Sequence, residues 1–127
     1  MKVGFTGTQT GMTPGQINAL GEELKKHTIS EFHHGDCIGA DAQAHEIASS
    51  LGVTVVIHPP ENPAKRAFKN GTLRNPKPYL DRNHDIVDEA DILIVAPSSN
   101  QEKLRSGTWA TCRYARKTGT KFIVLWR

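Results

Sequence analysis

Short apolar segments alternate with segments of helical periodicity along the chain. They are KVGFTG (2–7), ISEFHHG (29–35), VTVVIHP (53–59), DILIVAP (91–97) and KFIVLW (121–126). Strands that are apolar at nearly every position are typical of parallel sheets covered by helices on both faces. With right-handed crossovers, this alternation predicts an α/β fold, a Rossmann-like three-layer sandwich with a five-stranded parallel sheet in the order 3-2-1-4-5.

The segments between the strands carry helix signals. Thr13 precedes Pro14 and has Gln16 three positions after it, which is the spacing of a capping box with proline at the first helical position. This helix is predicted to end near His27. The other helices are predicted over 40–51, 79–90 and 107–118.

Length and composition limit the class of protein. The 127 residues fit one domain, 1–127, and are too few for two. No apolar run approaches the roughly 18 residues of a membrane span, and the N-terminal MKVGFTG lacks the layout of a secretory signal. Cys37 and Cys112 form no C-x-x-C pair, so we expect reduced thiols. These features predict a soluble, cytoplasmic protein with no membrane partner.

Positive charge is concentrated in a proline-rich segment, residues 59–78, which we call the basic loop. It carries five basic side chains against Glu61, a charge of +4, while the whole chain carries only +3. The five are Lys65, Arg66, Lys69, Arg74 and Lys77. A loop of this length is unusual in a compact domain unless it acts as a lid or is disordered. Its charge suits a phosphorylated small molecule or a nucleic-acid strand, and a solvated basic loop is the alternative.

Three strand ends lead into turns that contain glycine, at 7–11, 35–39 and 106–108. In such folds ligands bind at the carboxyl ends of the strands. Glycine lets main-chain N–H groups approach a phosphate, and the helix that follows adds a favourable dipole. A purely steric need for glycine is the alternative for any one turn. The ligand-binding residues predicted from these turns are Gly7, Thr8, Gly35, Asp36, Gly39, Ala40, Asp41, Ser106, Gly107 and Thr108.

The third predicted helix contributes two more ligand-binding candidates, Arg82 and Asn83. Its predicted buried stripe contains Leu80, Val87 and Ala90. Asn83 lies on that stripe, and a buried amide needs a partner, either a ligand or a loop carbonyl, because leaving it unpaired costs about 1–3 kcal/mol. Arg82 is either a bidentate phosphate ligand or an ordinary surface arginine.

Signals for a metal or a cofactor are weak. GFTGTQTGMTPG (4–15) matches neither the dinucleotide fingerprint nor the Walker motif, and we predict no bound cofactor. His33, His34, Cys37 and His45 are close in sequence. Adjacent strand residues point to opposite faces, so residues 33 and 34 cannot both face one ion, and we predict no metal site.

Three stretches together resemble the YspA-like branch of the SLOG superfamily, which also contains the LOG cytokinin-activating proteins and the DNA-processing protein DprA. They are HGDCIGADAQAHEIASSLGV (34–53), RNHDIVDEADILIVAP (82–97) and SGTWATCRYARKTG (106–119), and the resemblance covers about residues 2–125. The branch has a G-x-x-x-G-A-D stretch, an Arg-Asn pair and a final Gly-Thr. These are matched by Gly35, Gly39, Ala40 and Asp41, by Arg82 and Asn83, and by Gly107 and Thr108.

The resemblance implies binding of a nucleotide or nucleotide-derived molecule at the edge of the sheet that carries the glycine turns, often in a homodimer. In LOG enzymes the last motif ends in a glutamate that assists cleavage of the base–ribose bond, and Thr111 stands in its place here. An oxocarbenium-like transition state needs a nearby carboxylate, so catalysis would depend on Asp36, Asp41 or Asp85, or be absent. Asp41, in the first turn of its helix, also suits a cap or dipole role.

The leading hypothesis is therefore a protein that binds a phosphorylated small molecule, a nucleotide or a derivative, at the carboxyl edge of the sheet. The first alternative is an N-glycosidase of the phosphoribohydrolase type. The second is DprA-like binding of single-stranded DNA through the basic loop. Because that mode usually needs aromatic stacking platforms and Phe68 is the only aromatic residue in the loop, we do not expect a nucleic-acid partner.

Overall fold

The computed structural model describes residues 1–127 and contains a six-stranded sheet in the order β4-β3-β2-β1-β5-β6, in which every neighbouring pair is parallel. The strands are β1 (Lys2–Gly7), β2 (Glu31–His34), β3 (Val55–Ile57), β4 (Thr72–Leu73), β5 (Ile92–Ala96) and β6 (Lys121–Val124). The helices are α1 (Pro14–Lys25), α2 (Ala40–Ser50), α3 (Tyr79–Glu89) and α4 (Gly107–Thr118). None of these helices is long and apolar enough to cross a membrane. The α/β three-layer architecture is the one predicted.

The predicted count of five strands is wrong, because a sixth strand forms inside the basic loop. This strand, β4, pairs with the edge strand β3, with Thr72 opposite Val56. The main-chain N–H of Arg74 extends the pairing by donating to the Ile57 carbonyl at 2.9 Å. A strand of two residues is too short to produce a periodic signal in the sequence. The other five strands keep the predicted order.

The capping box at the start of α1 forms as predicted. The N–H of Gln16 donates to Oγ1 of Thr13 at 3.1 Å, and the N–H of Thr13 donates to Oε1 of Gln16 at 2.9 Å. The amide nitrogen of Gln16 also donates to the carbonyls of Pro97 and Leu125, at 3.0 and 2.9 Å. Gln16 therefore caps α1 and also links it to the chain segments that follow β5 and β6.

Each face of the sheet has its own hydrophobic core. Helices α1 and α2 cover one face, and α3 and α4 cover the other. The largest buried residues include Phe5, Leu20 and Phe32 in the first core and Ile86, Leu93 and Trp109 in the second. Burial of each such side chain stabilises the fold by roughly 1.5–3 kcal/mol. Because both faces are covered, a ligand can reach the sheet only at its edges.

Candidate functional site

The ends of β1 and β5 and the beginning of α2 are hydrogen-bonded together at the carboxyl edge of the sheet. The N–H of Thr8 donates to the Ala96 carbonyl, and the N–H of Ala40 donates to the Thr8 carbonyl, both at 3.0 Å. All three residues are buried. The first two glycine turns, 7–11 and 35–39, are therefore neighbours at this edge.

Two of the glycines at this edge are needed for packing. A Cβ on Gly7 would lie 2.5 Å from the Cβ of Ala40, so β1 and α2 could not approach each other as they do. Gly39 has a φ of 93°, and a Cβ there would clash with the main chain of Gln9. The steric explanation is sufficient for Gly7 and Gly39.

Arg82 is buried at the beginning of α3 and lies against the second glycine turn, with only 2% of its surface exposed. Its Nη1 donates to the carbonyls of Gly35 and His58, the latter at 3.0 Å. Its Nε donates to Oδ1 of Asn83 at 2.7 Å, while Nη2 contacts only the sulfur of Cys37, at 3.5 Å. The guanidinium joins α3 to the ends of β2 and β3, and Nη2 is its least engaged nitrogen.

Gly35 provides the space that Arg82 occupies. A Cβ on Gly35 would lie 2.7 Å from Cζ of Arg82 and 3.0 Å from Oδ2 of Asp41. Any side chain at position 35 would therefore push the guanidinium and the carboxyl group out of place. The glycine here allows a guanidinium and a carboxyl group to approach the turn, rather than a helix to approach a strand.

Asp41 is a buried carboxyl group in the first turn of α2. It accepts a hydrogen bond from the N–H of Cys37 at 3.1 Å, so it holds the turn that precedes the helix. Burial raises the pKa of Asp41 to about 6, and the neighbouring Arg82 charge offsets part of that rise. A carboxyl group that titrates near neutral pH is suited to proton transfer or to a hydrogen bond with a sugar hydroxyl.

Asn83 has a buried hydrogen-bond donor without a partner. The residue is 4% exposed, and its Oδ1 is occupied by the hydrogen bond from Arg82. No acceptor in the protein lies within hydrogen-bonding distance of its Nδ2. Buried side-chain donors are nearly always paired, so this one requires an explanation.

The predicted buried stripe of α3 is wrong at Leu80, which is 55% exposed. The buried residues of this helix are Arg82, Asn83, Ile86 and Val87. The helix is rotated relative to the prediction because main-chain carbonyls satisfy the Arg82 head group, which allows a charged side chain to take a buried position.

Tyr79 connects the third glycine turn to Arg82. The Arg82 guanidinium lies 4.7 Å from the centre of the Tyr79 ring, and a Cβ on Gly107 would lie 2.8 Å from Cε1 of that ring. Ser106 caps α4 by accepting from the N–H of Trp109 at 3.2 Å, and the next residue but one, Thr108, is buried. Segments 35–41, 79–83 and 106–108 therefore meet at one edge.

Tyr79 was missed by the sequence analysis, although a signal for it exists. An aromatic residue three positions before an arginine, in the first turn of a helix, can stack with the guanidinium. Burial raises the pKa of the Tyr79 phenol, which stays protonated at neutral pH and can donate a hydrogen bond.

Thr111, which stands where LOG enzymes have glutamate, is turned onto its own helix. It is buried, and its Oγ1 donates to the Gly107 carbonyl at 2.9 Å. Its hydroxyl therefore satisfies the first turn of α4 and cannot supply the negative charge that a glycosidase transition state needs.

Asp36 fastens the basic loop to the body of the protein. The residue is fully buried, with a left-handed φ of 54°. Nε and Nη2 of Arg66 both lie 2.9 Å from Oδ2 of Asp36, and the N–H of Lys69 donates to Oδ1 at 2.9 Å. Both carboxylate oxygens are thus engaged by the loop.

Most of the charge of the basic loop is neutralised by acidic residues of the body. Besides the Arg66–Asp36 pair, the ion pairs are Lys69–Glu46 at 2.7 Å, Arg74–Glu89 at 2.7 Å and Lys77–Asp85 at 2.6 Å. Of the five basic side chains, only Lys65 forms no ion pair. Asp85, a catalytic candidate, lies in one of these pairs with 34% of its side chain exposed. The loop is folded onto the protein and does not present five free cations.

The structure contains a single cavity, of about 270 Å³, and it lies away from the glycine turns. It is at the opposite edge of the sheet, lined by Leu24, Lys25, His27, Ile29, Leu51, Gly52 and Val53. The polar side chains in its lining are Lys25 and His27, and neither is buried. At the carboxyl edge Tyr79 and Arg82 fill the space, so a ligand there binds over these side chains or moves them.

Solved structures with this fold bind different molecules. The molybdenum cofactor binding protein of Rippkaea orientalis aligns with a TM-score of 0.76 and 17% identity, over 97% of this chain and 74% of that one. DNA processing protein A of Streptococcus pneumoniae aligns with a TM-score of 0.74 and 17% identity, over 97% of this chain but 49% of that one. The Helicobacter pylori protein of the same name, described with a single-stranded DNA binding mode, gives a TM-score of 0.69 and 22% identity over 98% and 64%.

These similarities show that the chain shares the Rossmann-like α/β fold of these proteins, which is consistent with the resemblance found in the sequence. No protein-family model matches the chain, and no curated protein matches it in sequence. Sequence identities of 17% to 22% establish the shared fold and leave the ligand of this chain to be inferred from its own residues.

Proposed function

We propose that this protein binds a phosphorylated small molecule, a nucleotide or a nucleotide derivative, at the carboxyl edge where segments 35–41, 79–83 and 106–108 meet. The observation that carries the proposal is the unpaired Nδ2 of Asn83, buried beside Arg82 at that edge. An unpaired buried donor costs about 1–3 kcal/mol, which an acceptor oxygen on a ligand would recover.

The surrounding groups suit the parts of such a ligand. Helices α2 and α4 both begin at this edge, and helix N-termini attract phosphate through their free N–H groups and their dipole. The Nη2 of Arg82 has only a weak contact with Cys37, so it can pair with an anion once a ligand moves the side chains that bury it. Asp41, with its raised pKa, suits a ribose hydroxyl, as donor or acceptor according to pH.

Two of the three candidate catalytic carboxylates are already paired with groups of the basic loop, which favours binding over hydrolysis of the base–ribose bond. Asp36 is engaged by Arg66 and Lys69, and Asp85 is paired with Lys77. Asp41 is then the one predicted catalytic residue without a basic side chain hydrogen-bonded to it, so any N-glycosidase activity should depend on it. Chromatography of candidate nucleotides after incubation tests this alternative, and turnover that Asp41→Asn abolishes would establish catalysis.

The test of binding is calorimetry with nucleoside monophosphates and diphosphates, ADP-ribose and cyclic nucleotides. Asn83→Asp replaces Nδ2 by an oxygen of nearly the same shape and keeps the acceptor for Nε of Arg82. We expect it to weaken binding by at least about tenfold, because a donor is lost and a negative charge faces an anion. Asn18→Asp makes the same chemical change on the exposed surface of α1 and should bind as the wild type does.

Two results would overturn the proposal. The first is the absence of binding by any of these phosphates to folded wild-type protein. The second is equal affinity of Asn83→Asp and Asn18→Asp for a ligand that does bind.

Single-stranded DNA binding is the second candidate, and the similarity to DNA processing protein A favours it. The ion pairs of the basic loop weigh against it, because cations already paired with carboxylates release fewer counterions from DNA. Oligonucleotide titrations at low and high salt decide between the two. Tight binding with a steep salt dependence would favour DNA over a small phosphorylated ligand.

A further inference from the structure

Strand geometry brings two histidines and two glutamates to one face of the sheet, under α3. Side chains two positions apart on a strand share a face, so Glu31 and His33 of β2 lie together. His33 is opposite Val56 of β3, and His58, two positions beyond Val56, shares that face. Glu89, the last residue of α3, lies over the same region.

His34 serves as an internal comparison, because it points to the opposite face as predicted. Its Nε2 lies 3.0 Å from Nδ1 of His45 on α2, and its Nδ1 accepts from the N–H of Asp36. Both ring nitrogens of His34 are thus occupied, and neither His34 nor His45 is hydrogen-bonded to a carboxylate side chain. The His33–His58 pair differs in having glutamates on both sides.

The side-chain atoms of His33, His58 and Glu89 are close enough to bind one ion. Nδ1 of His33 lies 2.8 Å from Nε2 of His58, and Nε2 of His58 lies 3.6 Å from Oε2 of Glu89. All three atoms lie within 4.8 Å of one another. In a tetrahedral site with metal–nitrogen bonds of about 2.0–2.1 Å, the two nitrogens are roughly 3.3 Å apart, so the histidines need to separate by only about 0.5 Å.

Neighbouring side chains orient the ligand atoms. Oε1 of Glu31 lies 2.9 Å from Nε2 of His33, which places the proton of His33 on Nε2 and leaves a lone pair on Nδ1. Arg74 holds Oε1 of Glu89 at 2.7 Å, so Oε2 remains directed towards His58. A carboxylate behind a histidine and a second group behind a carboxylate are the supporting contacts that metal ligands typically have.

Burial and access are also suitable. His33 and His58 are 0% and 2% exposed, so water does not compete for their lone pairs. The Glu89 side chain is 32% exposed and provides the route by which an ion can enter. The charges of Glu31 and Glu89 favour a cation, and Arg74 removes part of that advantage.

We propose that His33, His58 and Glu89 form a binding site for a divalent transition-metal ion such as Zn²⁺, with water as the fourth ligand. Two imidazoles and one carboxylate suit zinc, cobalt or nickel, whereas magnesium and calcium prefer oxygen ligands throughout. The site is separate from the proposed ligand site but connected to it, because the His58 carbonyl accepts from Nη1 of Arg82 at 3.0 Å. A metal bound to the His58 side chain would therefore also fix the position of the His58 carbonyl, to which Arg82 donates.

The competing explanation is a metal-free hydrogen-bonded chain from Glu31 through His33 to His58. Equilibrium dialysis of the full chain, purified without a polyhistidine tag, against Zn²⁺ and separately against Co²⁺ distinguishes the two. We expect one ion per chain and, for Co²⁺, the visible absorption of a tetrahedral site. Folded protein that binds neither ion would overturn the proposal.

Variants assign the ligands. Glu89→Gln is the primary variant because its side chain is partly exposed and the change preserves its shape, so the fold should survive. It should reduce Zn²⁺ affinity by at least about tenfold, and Glu31→Gln, which removes a supporting contact, should reduce it by about 10–100-fold. Glu102→Gln, at a surface glutamate paired with Arg113 and Arg116, is the matched control and should not change it.

His58→Gln and His45→Gln extend the test to the two buried histidine pairs. Loss of the bound ion in His58→Gln with retention in His45→Gln would support the assignment. Each variant is first checked by circular dichroism to be folded. Unchanged stoichiometry and affinity in both Glu89→Gln and His58→Gln would place the ion elsewhere and overturn the proposal.

Discussion

Asp36 and Asp41 lie five positions apart around one glycine turn, yet their carboxyl groups have different partners in the fold. Both are buried. Asp36 is bound on both oxygens by the basic loop, through Arg66 and the N–H of Lys69. Asp41 is held by the main chain of its own turn, its pKa is raised to about 6, and it lies beside Arg82.

This difference separates a structural role of Asp36 from the functional role proposed for Asp41. A buried charge with a complete set of partners is explained by the fold alone. A buried group with a strongly raised pKa is typical of binding and catalytic sites. The same turn therefore fastens the basic loop on one side and contributes to the candidate site on the other.

The largest effect is expected from Asp36→Asn, which removes the charged partner of Arg66. The Arg66 side chain is only 17% exposed, and removing one member of a buried ion pair costs about 3–5 kcal/mol. Urea denaturation at neutral pH measures this loss in the free energy of unfolding. Asp85→Asn, which breaks the more exposed pair with Lys77, is the control and should cost much less. Equal losses of unfolding free energy in Asp36→Asn and Asp85→Asn would show that the Asp36–Arg66 pair is no more important than an exposed ion pair.

At Asp41 the pH dependence is the informative measurement. The folded protein keeps the Asp41 proton up to about pH 6, whereas the unfolded chain releases it near pH 3.8. The contribution of this residue is therefore present at low pH and is lost as the pH rises through that window. Asp41→Asn does not titrate, so the stability of the wild type relative to the variant should fall by up to about 3 kcal/mol between pH 4 and neutral pH.

Unfolding curves of the two proteins at several pH values test this prediction. A difference in stability that is constant across the range would show that Asp41 has an ordinary pKa. A difference that grows in favour of the wild type as the pH rises would show that an interaction with Arg82 outweighs the effect of burial.

A smaller effect is expected at Cys37, which lies between the two carboxyl groups. Its thiol is buried and burial raises its pKa, so alkylation of the native protein by iodoacetamide should be slow. The main chain of Cys37 is paired with that of Arg66 in an isolated antiparallel β-bridge. Asp36→Asn should increase the rate several-fold, because loosening the basic loop breaks this pairing. Asp41→Asn should change it less. Mass spectrometry follows both thiols, and equal acceleration at Cys112 would indicate global unfolding instead.

Much of the architecture could be predicted because its signals are local. The β-branched run of β5, the capping box of Thr13 and the alternation of elements each depend on residues close in sequence. The sequence-based order of the five longer strands is correct for the same reason, since right-handed crossovers leave few arrangements. The strand β4 and the exposure of Leu80 were not predictable from these signals, because both depend on what the basic loop and Arg82 contact.

The meeting of the glycine turns at one edge was predictable, whereas the contacts made there were not. Glycine turns at the ends of parallel strands meet at one edge in any fold of this type, so positions 35–41 and 106–108 could be assigned from the sequence. His58 and Glu89 carry no such local signal, and the signal for Tyr79 is only its spacing of three positions from Arg82 in α3. His58 and Glu89 matter because a carboxylate lies near an imidazole, which is a contact between different elements. The Tyr79 ring lies under the guanidinium of Arg82 on the same helix, and its link to the third glycine turn depends on the packing of Gly107 against it.

Local order along the chain was sufficient to specify the α/β layers and to predict that the glycine turns meet at one edge of the sheet. Tertiary packing alone decided which charged side chains have a partner in the protein and which do not. Asp36 and Arg66 are 30 positions apart and Arg82 and Gly35 are 47 apart, so no periodicity connects them. Whether a buried polar group finds a partner depends on atoms brought together by the whole fold, and that is why the unpaired amide of Asn83 could be found only in the tertiary structure.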